Sequence, residues 1–261
     1  MKKITIIGAG NMGGAIARGL IKGNLVSAEN ITISDISEKL LDKFRETSSK
    51  WNLTTSNKDA VQNADVIIIA VKPWYVENVA TEIANFIHAQ NQIIVSIAAS
   101  VDFIQLAKFF GENTTLFRVI PNTAIEVKES VSTIATLNGN EEQIQLVKSI
   151  FDELGETFIV PESQINAFMS LSSCGIAYAF RYIRAAMEGG VEMGIYPDVA
   201  KEVVMQTLKG AVKLLEENKT HPEAEIDKVT TPGGITIKGL NEMEANGFTN
   251  SVIKGLLKSK I

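Results

Sequence analysis

Three glycines spaced Gly8-x-Gly10-x-x-Gly13 constrain this 261-residue chain more than any other feature. They stand directly behind the apolar run Ile4-Thr5-Ile6-Ile7 and ahead of a segment with helical periodicity. Glycine at the first position permits a tight strand-to-helix turn. At the second it lets main chain approach a large anion, and at the third it lets the helix lie close to the strand. Amides at the start of that helix, which begins with Met12, lack helical acceptors and face the same anion. The spacing alone also fits a structural glycine-rich turn. Its strand and helix context, and Asp35 placed 22 residues after Gly13, favour a dinucleotide site. A carboxylate there accepts from the adenine ribose hydroxyls and repels a 2′-phosphate, and no Arg occurs in Ile36-Ser37-Glu38-Lys39. The expectation is NAD(P)H, with NADH favoured by Asp35 and partly offset by Lys39; the alternative for Asp35 is helix initiation.

Behind this motif, short apolar runs alternate with helical patterns, the signature of a doubly wound parallel sheet. Strands are expected at 4–7, 31–34, 66–71, 93–97, 116–120, 132–137 and 157–160. Helices are expected at 12–22, 37–50, 74–87, 101–109 and 141–153. After Pro161 the pattern changes class: Ile176, Phe180, Ile183, Met187 and Val191 recur at helical intervals, as do Met205, Leu208, Val212 and Leu215. The fold expected is α/β, a Rossmann-type domain over 1–161 followed by an all-helical domain over 162–261. So much apolar stripe on about a hundred residues exceeds what so small a domain can bury alone, so a homodimer at least is expected.

The net charge of −5 offers no general attraction to nucleic acid or anionic membrane. No apolar run approaches the roughly 18 residues of a membrane helix, and the glycines at 8, 10, 13 and 14 interrupt any resemblance to a signal sequence. Cys174 is the only cysteine and no Cys/His cluster has metal-ligand spacing, so a cytoplasmic protein without a metal site is expected. The two histidines, His88 and His221, stand at a helix end and before Pro222, where surface or capping duty is the default. A dehydrogenase of hydroxy acids usually needs a general base. Reduction of a protonated imine needs positioning, a hydrogen bond to nitrogen and a carboxylate cradle instead. Val229-Thr230-Thr231-Pro232-Gly233-Gly234-Ile235-Thr236 has amides and hydroxyls for that purpose, although as pure pattern it is also a loop capping a helix.

Several segments, in order along the chain, resemble pyrroline-5-carboxylate reductases. They are Ile7-Gly8-Ala9-Gly10-Asn11-Met12-Gly13, Ala70-Val71-Lys72-Pro73, Arg118-Val119-Ile120-Pro121-Asn122-Thr123, and the run from Asp227 through Ile237. The resemblance implies a Rossmann domain, a helical dimerisation domain, and a site where one subunit's nicotinamide faces the partner's helical domain. It further implies that Thr236 hydrogen-bonds the imine nitrogen, that Gly233 and Gly234 amides hold the substrate carboxylate with Val229 and Ile235 alongside, and that Asn122 lies on the substrate side. On the cofactor it sets Gly8, Ala9, Gly10, Asn11, Met12, Gly13, Asn57 near the adenine ribose, Ala70, Val71, Lys72 and Pro73, and Ile97, Ala98 and Ala99 near the nicotinamide. Lys72 adds positive charge and is a second catalytic candidate; otherwise it is a solvated strand-end lysine.

The chain departs from the family's usual Met at Ile120 and Pro at Ala124, and Ser173-Cys174-Gly175-Ile176-Ala177-Tyr178 replaces a Gly-Ser-Gly-Pro-Ala-Tyr segment. Reduction of a different cyclic imine, or dinucleotide binding without turnover, are the competing readings. A β-hydroxyacid dehydrogenase would by resemblance carry a lysine early in the second domain, and none stands between Gln164 and Phe180.

Overall fold

The structure is a computed structural model that describes every residue except Met1, Ser49, Gln90 and Ile261. Those four, which include Ser49 of the expected helix 37–50, lie outside the described residues.

Strands β1 (Ile4–Ile7) and β4 (Val66–Ile69) are apolar because both of their faces are covered. Alternate side chains feed two cores: Ile4, Ile6, Val66 and Ile68 enter one, Ile7, Ile67 and Ile69 the other. With β2 (Ile31–Ser34), β3 (Asn52–Thr54), β5 (Ile93–Ser96), β6 (Thr115–Ile120), β7 (Ser130–Leu137) and β8 (Gly155–Ile159) they form one sheet of order β3-β2-β1-β4-β5-β6-β7-β8. Its first six strands are parallel and Ile7 pairs with both Ser34 and Ile69. The strand order reverses beside β1, so the carboxyl ends of β1, β2 and β4 open the crevice where such sheets take ligands. Helices α1 (Asn11–Leu20), α2 (Glu38–Arg45), α3 (Asn57–Val61), α4 (Val76–Ile83), α5 (Phe103–Phe110) and α6 (Glu141–Asp152) complete the layers.

The doubly wound sheet is as expected, but it is not wholly parallel. β7 runs antiparallel to β6, and β8 parallel to β7. The cause is length: residues 121–129 hold only a short 3-10 turn, Thr123–Val127, and Lys128 at φ 63°, too little chain for a crossover. Strand β3 and helix α3 have no counterpart in the expected pattern.

The chain divides into compact units at Met1–Ser173 and Cys174–Ile261. Helix α7 (Ile165–Met169) packs Ile165 and Met169 into the second core of the first unit and runs into a π-helical turn, Ser170–Cys174. The second unit is all helical: α8 (Gly175–Glu192), α9 (Pro197–Asn218), α10 (Pro222–Lys228), α11 (Ile235–Ala245) and α12 (Phe248–Lys258). Gly190 is where α8 and α9 approach closely, because a Cβ there would stand 3.0 Å from the Ala200 Cβ. Gly190 and Ala200 are the only buried residues of those two helices, and Phe180 is 61% exposed. The apolar stripes therefore remain partly or fully exposed within one chain. Among the described residues no helix is long and apolar enough to cross a membrane.

Candidate active site

The glycine turn has the geometry its spacing demands. Gly8 adopts φ +109°, and a Cβ on it would lie 2.7 Å from the Ala70 carbonyl oxygen. A Cβ on Gly13 would lie 1.9 Å from the Gly8 oxygen, whereas one on Gly10 meets nothing within 4 Å. Two of the glycines are thus imposed by packing. The third opens onto free space beside the start of α1, which has neither a side-chain cap nor an acidic residue in its first turn. An uncapped helix start with room before it fits a pyrophosphate. The turn is held on both sides: the Gly8 amide donates to the Ser34 carbonyl at 2.7 Å, and the Ala70 amide to the Ile7 carbonyl at 2.8 Å.

Asp35, at the carboxyl end of β2, accepts from the Ala9 amide (2.7 Å) through one oxygen and from the Ser37 amide (2.8 Å) through the other. It ties the glycine turn to the start of α2, and each oxygen keeps a lone pair for a further donor. Asn57 is buried, its carbonyl accepting from the Ser34 hydroxyl (2.7 Å) and its amide donating to Glu82 (2.8 Å). Ala70, Val71, Lys72 and Pro73 leave the end of β4; Lys72 is exposed and forms no ion pair among the described residues. Ile97, Ala98 and Ala99 leave the end of β5, with the Ile97 amide on the Ile69 carbonyl at 3.2 Å. All the expected cofactor residues of the first unit except Asn57, which heads α3, thus follow the carboxyl ends of β1, β2, β4 and β5. Asn57 joins them through the Ser34 hydroxyl.

Asn122 follows β6. Its side chain accepts from the Ala124 amide (3.0 Å) and donates to the Ser172 carbonyl (3.4 Å), while Ser173 donates to the Pro121 carbonyl (3.1 Å). The end of β6 is therefore laced to the π-helical turn, the segment where the chain carries Ser173-Cys174. π-turns of this kind gather at functional sites.

In the second unit, Pro232 and Gly233 form the corner of a turn closed by the Gly234 amide on the Thr231 carbonyl at 2.9 Å, with Gly233 at φ +71° as a type II turn requires. Gly234 then begins α11 with no side-chain cap and no acidic residue in the first turn, so the amides of Ile235, Thr236 and Ile237 are available to an anion. Thr236 is exposed, its hydroxyl bonded to nothing among the described residues, and Val229 and Ile235 are exposed beside it in sequence. His221 caps α10 through Nδ1, which accepts from the Glu223 amide at 3.3 Å.

The segment leading to this turn is anchored by Glu225, which takes hydrogen bonds from Lys228 (2.7 Å), Asn218 (3.2 Å) and the Thr220 hydroxyl. These donors, Lys228 first and Thr220 next, hold its carboxyl below the usual carboxylate range. A depressed folded-state value contributes stability above the ordinary carboxylate pKa, and loses it as pH falls through the folded value. Glu225→Gln is expected to lower the melting temperature slightly at neutral pH, with the gap closing in acid; a gap independent of pH would show that the charge is not what anchors the segment.

Sequence reasoning gave Arg118 no role, although it heads one of the segments that resemble the family. It stands in the apolar run of β6, where a charge inside a fully buried strand was the available signal. Its guanidinium donates to Glu162 and to the Ala99 carbonyl, each at 2.7 Å.

Residues 162–260 match the family model for pyrroline-5-carboxylate reductase dimerisation, and residues 3–100 that for NADP oxidoreductase, coenzyme F420-dependent. The pyrroline-5-carboxylate reductase of Methanosarcina acetivorans is 36% identical over 264 residues, covering 99% of this chain and 97% of that protein. The chain belongs to the pyrroline-5-carboxylate reductase family. Pyrroline-5-carboxylate reductase 1 of Dictyostelium discoideum is 34% identical over 268 residues, but the chain spans only 48% of that longer protein. A Plasmodium falciparum pyrroline carboxylate reductase, solved with NADP bound, superposes with a TM-score of 0.89 at 27% identity over 99% of this chain and 95% of the other. Within the pyrroline-5-carboxylate reductase family, then, the likeness runs through both compact units and not through the nucleotide-binding fold alone.

Proposed function

We propose that this chain transfers hydride from NAD(P)H to the C=N bond of 1-pyrroline-5-carboxylate, giving L-proline. The observation that carries the reading is the Gly234-Ile235-Thr236 start of α11, an uncapped helix end presenting an exposed hydroxyl, in a chain that also holds the glycine turn. In this reading 1–161 holds the dinucleotide and 162–261 is the dimerisation and substrate domain. Bound NAD(P)H supplies the hydride, which goes to the imine carbon, while nitrogen carries the proton that makes the imine electrophilic. The Gly233, Gly234 and Ile235 main chain cradles the carboxylate, Thr236 holds the ring nitrogen, and Asn122 and Val229 border the substrate. Lys72 adds positive charge near the cofactor. Gly8, Ala9, Gly10, Asn11, Met12 and Gly13 receive the pyrophosphate; Asp35 and Asn57 flank the ribose; Ala70, Val71 and Pro73 run along the dinucleotide, and Ile97, Ala98 and Ala99 back the nicotinamide. The apolar stripes of α8 and α9, partly or fully exposed, support a homodimer, alone or within a larger assembly; the cytoplasm is its proposed compartment.

For the coenzyme, Asp35→Ser is expected to shift the kcat/KM ratio towards NADPH by about tenfold, the equivalent of 1.4 kcal/mol of relieved repulsion. No shift would confine Asp35 to its bonds with Ala9 and Ser37. The function itself is tested by following NADH and NADPH oxidation with the five-membered imine and a six-membered analogue. Rapid oxidation with the five-membered ring is expected; activity confined to the larger ring would make the chain a different imine reductase.

A further inference from the structure

The turn that leaves β5 is gripped at two points by an ion pair whose arginine is buried and whose carboxylate is half-buried. It is closed internally by the Val101 amide on the Ala98 carbonyl at 3.2 Å. The Arg118 guanidinium, reaching from β6, donates to the Ala99 carbonyl at 2.7 Å and to Glu162 at 2.7 Å. The same Glu162 oxygen accepts from the Phe103 amide, the first of α5, at 2.8 Å. The Arg118 side chain is 6% exposed and that of Glu162 34%, and the Arg118 Nε is a buried donor with no partner among the described residues.

Stability alone does not account for this arrangement. Burying the Arg118 charge costs desolvation that its pairing with a half-buried carboxylate offsets with little net gain over apolar side chains of similar volume, and a donor left without an acceptor adds cost. What a planar guanidinium gives that apolar packing does not is direction, since its fork holds two acceptors at a fixed angle. Here those acceptors are a carbonyl of the turn and the carboxylate that fixes the end of the same turn.

We propose that Arg118 and Glu162 are positioning residues for hydride transfer, holding the turn at residues 97–103 in the one shape against which the nicotinamide docks. The inference rests on the proposed function, which sets Ile97, Ala98 and Ala99 behind that ring. Neither residue touches the reacting atoms: Arg118 acts through the Ala99 carbonyl and Glu162 through the Phe103 amide.

The test uses the full chain, with 1-pyrroline-5-carboxylate and NADH carrying deuterium at the transferred position. The double variant R118M/E162M removes the pair without leaving a lone buried charge, and E162Q keeps an oxygen for both donors. The double variant is expected to keep a melting temperature near that of the unaltered chain. Its kcat should fall by on the order of 10- to 100-fold and its NADH dissociation constant change by less than about threefold, as for a misaligned reacting pair. Its deuterium isotope effect on kcat should rise as hydride transfer becomes the slow step, and E162Q should lie nearer the unaltered chain in both respects. An unchanged kcat and isotope effect in folded double variant would overturn the proposal. So would a kcat loss that follows the loss of folded protein with the isotope effect unaltered, which is a structural role only. An unaltered chain that binds NADH but reduces no imine would instead overturn the proposed function, and this inference with it.

Discussion

Thr236→Ala is expected to lower kcat by about 10²- to 10³-fold, the usual cost of removing one aligned hydrogen bond to the group whose charge changes. The position makes the experiment clean. Thr236 is exposed in the first turn of α11 and its hydroxyl supports no other part of the described fold, so Ala, the better helix former, leaves the chain folded. What is lost, in the proposed function, is the hydroxyl that holds the imine nitrogen while the adjacent carbon is attacked. NADH affinity, read by fluorescence titration, should stay within about twofold because the substitution removes no dinucleotide contact. Thr236→Ser restores a hydroxyl at the same carbon and is expected to recover most of the turnover. Turnover equal to that of the unaltered chain in Thr236→Ala would remove this residue from the chemistry.

The glycine turn gives the second large effect, and it separates two glycines that look alike in sequence. Gly13→Ala sets a methyl 1.9 Å from the Gly8 oxygen and 2.9 Å from the Ala70 side chain, so α1 must move away from the turn. Overpacking of this kind costs about 1–3 kcal/mol. If the start of α1 retreats to relieve it, the same energy is lost from dinucleotide binding, roughly 5- to 150-fold in affinity. Gly10→Ala meets nothing within 4 Å in the protein itself, so its melting temperature should match that of the unaltered chain. In the proposed function its methyl enters the space that the pyrophosphate takes, so NADH affinity should still fall by about tenfold or more. Calorimetric unfolding paired with NADH titration distinguishes the two, and a Gly10→Ala variant that binds NADH normally would move the anion away from this turn.

How far the sequence exposes this architecture depends on the range of the interactions. β1 and β4 are legible because strands covered on both faces must be apolar throughout. The starts of α5 and α6, expected at 101 and 141, are fixed by capping boxes that periodicity does not use, Asp102 with Gln105 and Asn140 with Gln143, each closed within three residues. β3 and α3 are not, since three and five residues give no period to read. The antiparallel turn into β7 follows from the shortness of residues 121–129, a constraint on connection length that strand patterns do not contain. In the site, the glycine spacing corresponds to a real steric need at Gly8 and Gly13. The engagement of Asp35 by the Ala9 amide, in contrast, joins residues 26 apart and leaves no periodic trace. The Arg118–Glu162 pair spans 44 residues, so a charge in a buried strand and a place in a segment shared with the family marked Arg118 without revealing its partner. The π-helical turn at Ser170–Cys174 is a local change of winding with no counterpart in hydrophobic spacing.

In the proposed function, hydride passes directly from dinucleotide to imine carbon, Gly8, Gly10 and Gly13 holding the one and Thr236 the other. Incubating the chain with 1-pyrroline-5-carboxylate and NADH labelled with deuterium on one or the other face of C4, then locating the label, tests it most directly. The expected result is proline carrying one deuterium on the ring carbon next to nitrogen that was the imine carbon, from one of the two labelled forms only. Unlabelled proline from both forms, or no proline from a chain that binds NADH, would contradict the account.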